Sequence, residues 1–74
     1  MSKITVHHRH DTLTDGSIAH DVVVRGHGQE VAIPCYSDRC AEALQQAIVD
    51  AINLHGADHV EMGEDIHIAA GWAA

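Results

Sequence analysis

A chain of 74 residues with four basic and eleven acidic side chains, formal charge −7 with histidine neutral, excludes two classes at once. Nucleic-acid binding draws most of its affinity from cations on phosphates, for which Lys3, Arg9, Arg25 and Arg39 are too few; no apolar run approaches the roughly 18 residues of a membrane span, and MSKITVHHRHD lacks an apolar signal segment, so a cytosolic protein is expected. With no Phe, one Trp and one Tyr, the core of a single domain (1–74) must come from aliphatic residues, and at this size it yields only about 3–5 kcal/mol net, which makes a homodimer or a partner-bound form an expectation.

In chain order, Lys3 to His10 alternates Ile4, Val6, His8 and His10 with Lys3, Thr5, His7 and Arg9, the period of a half-buried strand. Asp15-Gly16 reverses the chain. Ile18 to Arg25 is a second strand with the β-branched run Val22-Val23-Val24, and Gly26-His27-Gly28 is a tight connection to a third, Gln29 to Ile33, closed by Pro34.

Ser37 to Gly56 is the helix around which the rest is arranged. Cys40, Ala43, Leu44, Ala47, Ile48, Ala51, Ile52 and Leu54 recur at three- and four-residue steps; Ser37 is an N-cap, Asp38 suits the positive end of the dipole, and Gly56 suits the C-terminal turn. Beyond it, Asp58 to Met62 and Ile66 to Ala70 read as two further strands joined by a turn at Gly63-Glu64-Asp65, with Trp72 stapling the last strand to the domain. The expected fold is therefore α+β: an antiparallel sheet of about five short strands, β-β-β-α-β-β, with one amphipathic helix on one face. Its open face would carry Thr5, His7, Arg9, Asp21, Glu61 and His67, and that face or an edge strand would receive a partner.

Eight histidines are the chain's oddest feature. A transition metal takes two or three neutral imidazoles converging with a carboxylate, and His8 and His10 share a strand face, a two-histidine clamp with Asp11 within reach. Against it, the other histidines are scattered and no helical H-x-x-x-H or H-E-x-x-H exists, so surface-packing histidines are the competing reading. Protonating all eight would carry the formal charge from −7 to +1 and weaken contact with a basic partner.

Cys35 and Cys40 form neither a C-x-x-C pair nor a zinc knuckle. A helix N-terminus favours a thiolate, but no base or oxyanion site accompanies them, and small core-filling residues are the plainer reading. Asp58, Glu61, Glu64 and Asp65 gather late in the chain, with Asp21 earlier; they either present negative charge to a basic groove or solvate loops.

The VVVRGHGQEVAIP hairpin, the CAEALQQAIVDAINLHGADHVEM segment, the length and the charge together resemble the small acidic proteins with which phages block bacterial defence, the anti-CRISPR type among them. The resemblance implies a stoichiometric inhibitor in the bacterial host cytosol, neither an enzyme nor a cofactor carrier. Its partner would be a basic, nucleic-acid-handling surface such as a CRISPR effector complex, met through Asp58, Glu61, Glu64, Asp65 and Asp21. The alternatives are a metal-binding module using His8 and His10, or a small structural homodimer.

Overall fold

A computed structural model describes residues 3–73, with side chains through Gly71, so the expected stapling role of Trp72 falls outside the described side chains. Three strands, β1 (Thr5–Thr12), β2 (Ile18–Gly26) and β3 (Gln29–Cys35), form an antiparallel sheet in the order β1-β2-β3, followed by helices α1 (Asp38–His55) and α2 (Glu64–Ala73).

Turn chemistry sets the registers. Around Asp15-Gly16 the Leu13 N–H donates to the Ser17 carbonyl at 2.8 Å, Gly16 takes φ +88°, and the Asp15 carboxylate accepts from both the Ser17 hydroxyl and its N–H. Those bonds, the hydroxyl's first, hold the Asp15 carboxyl below its ordinary range. What this turn adds to stability is therefore complete above that range and fades as pH falls through the lowered value. The second connection is two residues, His27 (φ +52°) and Gly28 (φ +73°), the double positive φ of a type I′ hairpin turn. Gly26 is needed for another reason: a Cβ there would lie 2.7 Å from Cγ1 of Ile4.

These registers put Val6, His8 and His10 on one face with His20, Val22 and Val24 and with Val31, Ile33 and Cys35. Helix α1 covers that face through Ala41, Leu44, Ile48 and Ala51, which pack with Val22 and Val24. Its ends match the sequence: Ser37 Oγ accepts from the Cys40 N–H at 3.2 Å, and the Gly56 N–H donates to the Ile52 carbonyl. Val23 points to the open face yet is only 1% exposed, lying between its cross-strand neighbours His7 and Ala32.

The five-strand, one-helix expectation fails after Gly56; the α+β class stands. Residues 58–62 are a loop, and 66–70 belong to α2, which packs on α1. The alternation of Ile66, Ile68 and Ala70 suggested a strand, but Met62, Ile66, Ala69 and Ala70 also fit a helical stripe. That second set is the one buried, while Ile68 is about half exposed. Local chemistry favours the helix: Glu64 and Asp65 occupy the first turn, the Asp65 carboxylate accepts from the Glu61 N–H at 2.8 Å, and two alanines follow. Consequently Glu61 and His67 are not on the open sheet face, which carries Thr5, His7, Arg9, Asp21 and Arg25, with Arg9 bound to Asp21 at 2.6 Å. Among the described residues no helix is long and apolar enough to cross a membrane.

Candidate metal centre

The helix-facing side of the sheet is apolar at one end and imidazole-lined at the other. Moving along β1 from Val6, the face continues with His8 and His10; along β2 in the opposite direction it runs from Val24 through Val22 to His20. His10 is the cross-strand partner of His20, and His8 pairs with Val22, so His8 and His20 are diagonal neighbours, within reach of each other across the pleat.

Helix α1 supplies the third group. Its cap at Ser37 fixes Asp38 as the first helical residue, directly over the histidine end of the sheet. His8 Nε2 and His20 Nδ1 lie 3.1 Å apart, a hydrogen bond whose direction the tautomers set, and Asp38 Oδ1 is 3.6 Å from the first and 3.4 Å from the second. The two imidazoles are mostly covered, with side chains 17% and 11% exposed, whereas Asp38 is 72% exposed. His10 packs edge-on against both rings, its centroid 4.8 Å from that of His8 and 5.7 Å from that of His20.

This triangle has the dimensions of a coordination face. In a regular tetrahedral zinc site with bonds of about 2.05 Å, neighbouring ligand atoms are about 3.3 Å apart and the ion sits about 0.7 Å out of any three-ligand plane. For sides of 3.1, 3.4 and 3.6 Å, a point about 2.05 Å from all three corners lies about 0.6 Å out of the plane. The spacing suits one ion, whose entry would replace the hydrogen bond between the two rings. The same three residues form a group whose candidate ligand atoms all lie within 4.8 Å of one another.

Of the residues singled out in the sequence, His8 is a corner of this triangle and His10 lies against it. Asp11, placed within reach of them in the sequence reading, alternates to the open face and pairs with Ala19. His20 and Asp38 were missed. The signal for His20 was present, because a hairpin closed at Asp15-Gly16 sets His10 opposite it; Asp38 could be found only once α1 was docked.

Of the acidic residues expected to meet a partner, four lie together in residues 58–65 and Asp21 is elsewhere. Asp21 is on the open sheet face against Arg9, Asp58 and Glu61 lie in the loop between the helices, and Glu64 and Asp65 open α2, where Asp65 also lies 3.9 Å from His55.

Beside the triangle, Cys35 is the cross-strand partner of His20, and Cys40 sits in the first turn of α1. Burial pushes the Cys35 thiol up, with Cys40 and then Asp21 adding to the shift, so a thiolate favoured by the helix end is not what the structure gives at Cys35.

No known family's sequence profile matches the chain, and no curated protein and no solved structure shows detectable similarity to it.

Proposed function

We propose that this protein is a small, non-catalytic metal-binding module that holds a divalent transition ion, zinc foremost, through His8 Nε2, His20 Nδ1 and Asp38 Oδ1. The observation that carries this reading is the triangle of ligand atoms at tetrahedral spacing, drawn from two strands and a helix. Two imidazoles and one carboxylate suit zinc, nickel or cobalt, and suit magnesium or calcium poorly, since those ions favour shells of oxygen. Three protein ligands leave a fourth position for water or for a group of a partner molecule, and the exposure of Asp38 puts that position on the solvent side. The reading is favoured over contact through an acidic patch because three candidate ligand atoms converge here on one point.

Binding to the folded chain alone would stabilise it by linkage. At free zinc about a hundredfold above Kd the gain is about 2.7 kcal/mol, which in a domain of this size raises Tm by about 10–20 °C. Melting curves followed by circular dichroism should therefore shift with zinc and nickel, return with a chelator, and stay put with magnesium. Because protons compete for the same ligand atoms, the shift should shrink as pH is lowered. An equal shift with magnesium, or none with any transition ion, would remove the proposal.

A further inference from the structure

The two cysteines, unremarkable by their spacing, are brought together by the fold. Cys35 ends β3 on the helix-facing side, continuing the alternation Val31, Ile33, Cys35. Cys40, half-buried, lies one and two turns ahead of the buried Leu44 and Ile48 on α1. Only four residues separate them, and the turn at Tyr36 and Ser37 folds the start of α1 back over the end of β3. The two free thiols consequently come to one corner, where Cys35 Sγ meets the Ile33 carbonyl at 3.8 Å. Both are half-buried, and both line an apolar groove of about 430 Å³ with Ile33, Leu44 and Ala70.

Two thiols lining one groove, fixed by a strand on one side and a helix on the other and still reachable from solvent, have what intramolecular exchange requires. We propose that Cys35 and Cys40 are an oxidisable dithiol that closes to an intramolecular disulfide on reaction with a small disulfide such as oxidised glutathione. The chemistry balances without a further reagent. One protein thiolate attacks a sulfur of glutathione disulfide and expels the first glutathione thiolate; the second protein thiolate then attacks the protein sulfur of the mixed disulfide and expels the other. Two protein protons end on two glutathione thiols, and the two electrons lost by the protein reduce one glutathione disulfide. Closure brings the sulfurs to about 2.05 Å, with the exposed Tyr36-Ser37 turn between them to adjust. The inference is independent of the metal reading, since neither thiol belongs to the His8, His20 and Asp38 group.

The test is incubation of the full chain, treated beforehand with a chelator, with oxidised glutathione, followed by intact-mass measurement and a non-reducing peptide map. The expected product has lost two hydrogens and links the peptides of Cys35 and Cys40, with a higher Tm than the reduced chain because the denatured state is now closed. C35S and C40S should each stop at a stable glutathione adduct on the remaining thiol. Persistent glutathione adducts on the wild-type chain, or disulfide-linked dimers as its main product, would overturn the proposal. So would failure of the wild-type thiols to react while either single variant reacts readily.

Discussion

Replacing His20 by alanine is expected to weaken zinc binding by about two powers of ten. Complete structural zinc sites are worth about 10–16 kcal/mol over four ligands, so one ligand accounts for roughly 3 kcal/mol, or about a hundredfold. His20 is the right residue to remove because its ring lies at the end of the apolar layer and is absent from the buried cluster centred on Ile48 and Ile66, so the fold should survive. His10→Ala is the informative comparison. His10 touches both rings edge-on but lies outside the ligand group, so its loss should cost clearly less than that of His20. Competition against a chromophoric chelator would measure both. Full affinity in His20→Ala with loss in His10→Ala would replace the diagonal pair by the same-strand pair His8 and His10, and would break the account given above.

Ile48→Ala should abolish or nearly abolish folding of the isolated chain. Ile48 is fully buried at the centre of the contact between α1, β2 and α2. Truncating a buried isoleucine costs about 2–5 kcal/mol, the lost transfer energy plus that of the cavity, while a domain of this size has only about 3–5 kcal/mol in total. Leu54, on the same helix but largely exposed, is the control; Leu54→Ala should change stability by no more than about 0.5 kcal/mol. Denaturant titration followed by far-ultraviolet circular dichroism would separate the two. A cooperative transition in Ile48→Ala close to that of the wild type would mean that this core does not hold the fold.

The first three quarters of the chain were legible because each element carried two agreeing signals. Ser37 and Gly56 bracket a stripe of helical period, and the three strands alternate between turns whose residues, Asp15-Gly16 and His27-Gly28, accept positive φ. The last quarter carried two conflicting ones. Ile66, Ile68 and Ala70 alternate, but the run is too short for period alone to decide. What decided it, beside the local Asp65 bond to the Glu61 N–H, was the packing of Met62, Ile66 and Ala69 on α1, which is not visible without the tertiary structure.

The candidate site followed the same division. That His8 and His10 share a face is a property of one strand and could be read directly. That His20 replaces His10 as the second corner depends on a diagonal across the hairpin, and that Asp38 completes the triangle depends on where α1 docks. A metal site assembled from three elements has no sequence spacing to announce it.

X-ray absorption at the zinc edge of the loaded protein tests the central claim most directly, because bond length identifies the ligands. The account predicts a first shell of nitrogen and oxygen only, at about 2.0 Å, with the outer-shell scattering of two imidazoles and no sulfur at about 2.3 Å. A sulfur shell would assign the ion to Cys35 and Cys40, and a first shell without imidazole scattering would contradict the histidine site altogether.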